Sequence, residues 1–234
     1  MTDAERYAKE VKEGKAIVGD LVKRAVDRFF SDLQRKDLYF DEEEADKAVR
    51  FAEGFLCFWE SEWRGLNVTL YPWQKFIIQN IFGWKWKRSG LRRYRSAYIQ
   101  VARKNGKTTL ADIITAIHLF IDRDPTPQVL VGANNEDQAK ICTNSLGQML
   151  LISPKFKDYF EDKSLQTFTY KKRINTINFT TDDRVGSVTA MSSDPETKDG
   201  FNPSLGIIDE YHEAVDDALL NVIEPWQIVT GKQW

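Results

Sequence analysis

The chain has 234 residues, 42% of them hydrophobic and 29% charged. That length suits one large domain or two small ones, and the composition excludes a disordered, collagen-like or coiled-coil chain. A chain of this size removes roughly 70–75% of its unfolded surface from water and needs no disulfide or metal to hold a core. Its 33 basic and 35 acidic side chains leave a formal net charge of −2. This excludes nucleic-acid binding by bulk charge and leaves only a local patch for that purpose. Cys57 and Cys142 stand 85 residues apart without metal-ligand spacing; with no secretory leader in view they suggest a reducing, cytoplasmic setting. No apolar run approaches the roughly 18 residues of a membrane span.

The first residues are charged and favour helix. From Leu21 to Leu33 the apolar positions Leu21, Val22, Ala25, Val26, Phe29, Phe30 and Leu33 repeat every three or four residues, which predicts an amphipathic helix. Asp41 followed by Glu44 reads as a capping box for a helix reaching about Trp59, with Glu42–Glu44 as the acidic residues a helix start favours. Residues 1–65 are therefore expected to be a helical subdomain and residues 66–234 the core. Pro72 suits a first helical turn, and that helix is expected to stop near Gly83. Beyond it Lys85, Lys87, Arg88, Arg92, Arg93 and Arg95 alternate with Trp84, Trp86 and Tyr94. Such a stretch is either a solvated loop beside a strand or a nucleic-acid surface.

At residue 94 the period changes. Tyr94–Val101 reads as a strand and Thr108–Ile121 as a helix. Pro125 and Pro127 mark a turn, Val129–Ala133 a strand, and Asp137–Leu151 another helix. Strand, helix, strand, helix predicts a right-handed parallel α/β sheet. Ile174–Phe179 and Val185–Ala190 read as a hairpin or two short sheet strands, and Leu205–Ile208 as a short apolar strand ending at Asp209 and Glu210.

Two motifs carry chemistry. Residues 101–109 read VARKNGKTT, so Gly106, Lys107 and Thr108 stand between an expected strand and an expected helix. There backbone N–H groups and the helix dipole form an anion site. Lys107 would reach the β- and γ-phosphates of a nucleotide, and the Thr108 hydroxyl would coordinate Mg²⁺. The full fingerprint has a glycine five positions before Gly106, where this chain has Val101. The second motif, LGIIDE at 205–210, delivers two carboxylates at the carboxyl edge of a sheet. Asp209 would assist Mg²⁺ and Glu210 would orient or deprotonate water. The expectation is that the ends of two neighbouring strands bring Lys107 and the acidic pair to one magnesium–nucleotide.

Several further stretches make the sequence resemble the large terminase subunit of tailed bacteriophages. ARKNGKTT has Arg103 where that family carries an arginine ahead of the glycine-lysine pair. LYPWQKFIIQNIFGW is similar to the segment whose glutamine recognises adenine, here Gln74. GANNEDQAK, at 132–140, resembles the family's motif after the second strand. KDGFNPSLGIIDEYHEA resembles its acidic-strand region, including Asp199, Gly200, Asn202, Pro203 and His212.

The resemblance implies a P-loop NTPase of the ASCE, RecA-like kind, with a mostly parallel central sheet flanked by helices. It implies ATP held by Gln74, Arg103, Lys104, Asn105, Gly106, Lys107, Thr108 and Thr109, with Arg103, Lys107 and Glu210 acting in catalysis and Thr108 and Asp209 on Mg²⁺. Five subunits would form a ring on the portal of a procapsid and pull double-stranded DNA inward. The small terminase subunit would be a further partner, the setting the host cytoplasm, and no membrane is involved. The family continues into a nuclease domain. This chain ends 24 residues after Glu210, so DNA cutting is not expected of it, and Val229-Thr230-Gly231 lacks the apolar strand of the family's coupling motif.

Some residues stay open between two readings. His118 reads as a packed helix residue before a ligand, and His212 as a structural contact beside Glu210 before a catalytic group. Trp73 suits the core or an adenine stack. Arg123, Arg173 and Arg184 are equal candidates for an arginine acting on a neighbour's nucleotide. The nucleotide site alone also suits a superfamily 2 helicase-like motor, which needs a second motor domain, or a scaffold that binds ATP without turnover, against which Glu210 speaks.

Overall fold

A Thr2–Glu5 capping box opens the first helix, α1 (Asp3–Lys12): the Glu5 N–H donates to Thr2 Oγ1 at 3.2 Å, and the Thr2 N–H to Glu5 Oε2 at 3.1 Å. The computed structural model describes residues 1–122, 124–133, 136–161, 167–171, 176–181, 183–191 and 203–209. They divide into two compact units, the first made of Met1–Phe51 with Thr69–Gln100, the second of Ala52–Val68 with the described residues from Val101 onward.

In the first unit, α1 buries Ala4, Tyr7, Ala8 and Val11, one face at helical spacing. α2 (Asp20–Leu33) follows the expected bounds to within a residue. α3 (Glu42–Phe55) is capped by Asp41, whose carboxylate accepts from the Glu44 N–H at 3.1 Å, but it stops before Trp59. α4 (Pro72–Gly83) matches its expectation. Its buried Gln79 accepts from the Ala4 N–H (2.6 Å) and donates to Asp46 (2.7 Å), so one side chain ties α1, α3 and α4 together. This is why α4 groups with the amino-terminal helices instead of with the chain after residue 65.

The strands β1 (Leu38–Phe40) and β2 (Trp84–Trp86) pair antiparallel, and Phe29, Phe76 and Trp84 meet at tilted or edge-to-face angles in the core. Each fully buried ring of this kind contributes about 1.5–3 kcal/mol.

The basic and aromatic stretch after α4 belongs to this packing. Lys85 is 4% exposed and pairs with Asp41 (3.1 Å) and Glu44 (3.8 Å). Arg93 pairs with the buried Asp32 and lies over Tyr94, Arg35 lies over Trp86, and Arg92 over Phe82. These cations are engaged within the unit, which supports neither a free nucleic-acid surface nor a simple solvated loop at those positions.

The second unit holds a five-stranded sheet in the order β4-β5-β6-β3-β7. Its strands are β3 (Gln128–Gly132), β4 (Thr167–Lys171), β5 (Thr176–Thr180), β6 (Val185–Met191) and β7 (Leu205–Ile208). β3 runs parallel to both β6 and β7, while β4, β5 and β6 are antiparallel, so the expected pair of strands around residues 180–184 is a hairpin. α5 (Lys107–Phe120), α6 (Glu136–Ile152) and α7 (Pro154–Glu161) belong to the same unit; α7 and β4 carried no signal that we read from sequence.

One expected strand is absent. Tyr94–Val101 joins no ladder among the described residues; the only pairing nearby is a single bridge between Lys85 and Arg92. Alternation records a preference, but a strand exists only when a partner row of N–H and C=O groups is there to pair. Lys107 is therefore delivered by the start of α5 and not by a strand beside β7.

Candidate functional site: a phosphate loop facing a strand-end carboxylate

The loop before α5 is shaped by its backbone. Lys104 has φ 63° and Gly106, at the amino-terminal cap of α5, has φ 73°, both in the left-handed region. Glycine adopts this freely; at Lys104 it costs roughly 1–3 kcal/mol, a strain characteristic of functional loops. The Asn105 side chain donates to the carbonyls of Ala102 (3.2 Å) and Arg103 (3.1 Å), closing the turn. Left-handed residues alternating with ordinary ones form the concave backbone that binds anions. The amides of the first α5 turn, Lys107 to Thr109, have no acceptor within the helix. Arg103, Lys104, Asn105 and Gly106 are exposed, and Lys107, Thr108 and Thr109 half-buried, so the loop is open to a ligand.

The carboxylate comes from β7. The parallel ladder pairs Gly132 with Ile208 and continues one step, the Asp209 N–H donating to the Gly132 carbonyl at 3.0 Å. This pins Asp209 where the strand ends, and its Oδ1 lies 3.0 Å from Lys107 Nζ. The loop lysine and the strand-end carboxylate, expected from sequence to meet, do meet. Glu210, Asp199, Gly200, Asn202 and His212 lie outside the described residues, as do Arg123, Arg173 and residues 229–231.

Behind this pair lies a polar network that sequence reasoning missed. The Cys142 Sγ donates to Asp209 Oδ2 at 3.4 Å, so the two carboxylate oxygens face different partners. One helical turn along α6, the Ser145 hydroxyl donates to Asp112 Oδ2 at 2.5 Å and accepts from Trp59 Nε1 at 2.9 Å. Burial raises the Asp112 carboxyl well above the usual carboxylate range; the Ser145 hydrogen bond works the other way, and the charges of Asp209 and Glu60 add to the rise. Burial likewise pushes the Cys142 thiol up, helped by Asp209 and Asp112, so it stays a donor. The available signals were an aspartate inside the apolar run of α5 and the three-residue spacing of Cys142 and Ser145 on one face of α6.

Three other residues singled out in sequence are located as follows. Gln74 is buried in the first unit at the third position of α4, and its Oε1 accepts from the Tyr71 N–H at 2.8 Å. His118 is fully buried, bonded to Asp122 and Ser204. Arg184 donates to the Leu119 carbonyl at 3.3 Å, at the opposite end of α5 from the phosphate loop.

The donor set suits Mg²⁺. Thr108 and Asp209 offer hard oxygen ligands, and among the described residues no group of three His, Cys, Asp or Glu side chains forms a closed metal cage. Magnesium in nucleotide sites takes one or two protein oxygens and completes its shell with phosphates and water.

A strained, glycine-capped loop at a helix start, its lysine, and a carboxylate ending a parallel strand define a P-loop nucleoside triphosphatase. Residues 72–229 match the family described as "Terminase large subunit, ATPase domain", and the chain belongs to that family. It is 27% identical over 169 residues to the "Terminase, large subunit" of Enterobacteria phage HK97, a match covering 70% of this chain and 30% of that protein. The crystal structure of the HK97 bacteriophage large terminase has the same fold, with a TM-score of 0.60 at 24% identity, covering 79% of this chain and 35% of the other. The chain thus spans about a third of the length of these relatives.

Proposed function

We propose that this chain binds ATP with Mg²⁺ and hydrolyses it, as the ATPase part of a motor that moves double-stranded DNA into a viral procapsid. The observation that carries the reading is the approach of Lys107 to Asp209 to 3.0 Å at the mouth of the phosphate loop. Lys107 and the amides of 104–109 hold the β- and γ-phosphates, with Arg103 on the γ-phosphate. Thr108 and Asp209 would hold Mg²⁺, which would supply charge neutralisation on the phosphate oxygens. Glu210 orients the attacking water and takes its proton. By virtue of the family, we propose a ring of five such subunits on the portal, the small terminase subunit as a partner, and action in the host cytoplasm. No helix among the described residues is long and apolar enough to cross a membrane.

The test is phosphate release with and without double-stranded DNA, for the wild type, Lys107→Ala and Glu210→Ala. Positioned electrostatic groups of this kind are worth at least ~10²-fold in turnover, and each variant is expected to lose that much. Near-normal hydrolysis by either variant removes its assigned role. ATP binding without phosphate release by the wild type would make the chain a nucleotide-holding scaffold instead.

A further inference from the structure

We propose that His118 is a positioning residue for the phosphate site: a buried strut that fixes α5 lengthwise against β7 and so sets the separation of Lys107 from Asp209. The inference rests on the nucleotide-site reading above. His118 Nδ1 lies 2.9 Å from Asp122 Oδ2, and Nε2 lies 2.8 Å from the Ser204 Oγ. A carboxylate only accepts, so Nδ1 carries a hydrogen; in the neutral ring Nε2 is then the acceptor for the Ser204 hydroxyl. Ser204 is itself fixed to β3, its N–H donating to the Gln128 carbonyl (2.8 Å) and its Oγ accepting from the Gln128 N–H (3.1 Å). A serine, a histidine and an aspartate in this order resemble a nucleophilic triad. With Ser204 2% and His118 0% exposed no substrate reaches them, and the bonds are mechanical.

What gives them a consequence is a match of lengths. From Lys107 to His118 the helix advances about 16 Å at 1.5 Å per residue. From Ser204 to Asp209 the strand advances about 16 Å at 3.3 Å per residue. The two elements run in opposite directions and are joined at both ends, by Lys107–Asp209 at the open end and by His118–Ser204 at the buried end. A helix tied at both ends to one strand resists sliding and tilting against it. Released at the buried end, α5 keeps its apolar packing, the Asp112–Ser145 bond and the Lys107–Asp209 pair, but loses the directional bond that fixes its lengthwise position against β7. A displacement of about 1 Å at reacting groups costs on the order of 10²-fold in rate.

The experiment uses two substitutions that divide the ring's functions. His118→Gln carries its terminal amide to where Nε2 lies and keeps the bond to Ser204. His118→Asn ends near Nδ1, keeps the bond to Asp122 and releases Ser204; Ser204→Ala releases the same bond from the other side. Amide hydrogen exchange without nucleotide is read at residues 110–112, the first bonded amides of α5, and at 209, remote from the substitutions, and kcat and KM for ATP are read at a temperature where circular dichroism shows each variant folded. The expected result is faster exchange at both remote places and a kcat at least ~10-fold lower in His118→Asn and Ser204→Ala, with His118→Gln within about 3-fold of the wild type. Unchanged remote exchange in folded His118→Asn and Ser204→Ala overturns the strut. A wild type that hydrolyses no ATP overturns the nucleotide-site reading, and the exchange measurement still decides whether the strut exists.

Discussion

Replacing Asp112 by asparagine should change the pH dependence of stability in a direction fixed by the structure. Asp112 is buried on α5, and its folded-state pKa is raised well above the ordinary 3.8, burial being the first cause. Above that ordinary value the unfolded chain has released this proton while the folded chain still holds it. The unfolding free energy therefore falls as pH rises, by up to about 1.4 kcal/mol per pH unit, from the unfolded pKa to the folded one. Asp112→Asn preserves the shape and an acceptor for the Ser145 hydroxyl, found at 2.5 Å from Asp112, but carries no titrating group. Urea unfolding of both proteins at half-unit steps between pH 5 and 8 isolates the term, because every other ionisable group is common to the two. The variant should be the more stable at the upper end, with a curve less steep in pH than the wild type's. Parallel curves across the range would refute the claim that Asp112 is folded in its neutral form.

Two further substitutions test the packing. Among the described residues, Arg93→Ala leaves Asp32, 4% exposed, with only the Arg35 guanidinium at 3.8 Å, and should cost about 3–5 kcal/mol in chemical denaturation, as breaking a buried pair does; a loss under about 1 kcal/mol would mean that water reaches Asp32. Gly186 faces Phe179 across the β5–β6 pair, and a Cβ there would run into that ring and stand 2.9 Å from the Pro127 carbonyl. Gly186→Ala should therefore lower stability by about 1–3 kcal/mol by thermal melting; an unchanged melting temperature would show that the ring moves aside freely.

How much of this was legible in the sequence depended on whether a segment's structure is set locally. The helices α2, α4, α5 and α6 and the strands β3 and β7 were readable because apolar spacing and a terminal Gly or Pro record them along the chain itself. The meeting of Lys107 and Asp209 was readable because one motif precedes a helix start and the other ends a strand, the places where an α/β fold gathers such groups, although the strand expected ahead of Lys107 is absent. The strand at 94–101 failed for the opposite reason, since pairing depends on a remote partner that alternation does not report. The basic–aromatic run hid its role likewise: that Lys85 and Arg93 are held by Asp41 and Asp32 is a fact of tertiary packing. Cys142, Ser145 and Trp59 belong to no motif, and only the folding of α6 and the 52–68 segment brings them to Asp112 and Asp209. His118 is packed, as its place on a helix predicts, but its bond to Ser204 spans 86 residues of sequence.

The account turns on Lys107 and Asp209 serving one nucleotide. Calorimetric titration of ATP with Mg²⁺ into the wild type and into Lys107→Ala tests this directly. Loss of a charged hydrogen-bond partner is worth about 1.5–3 kcal/mol, so the wild type should show one site per chain and the variant at least ~10-fold weaker binding. Equal affinity in the two proteins would contradict the account.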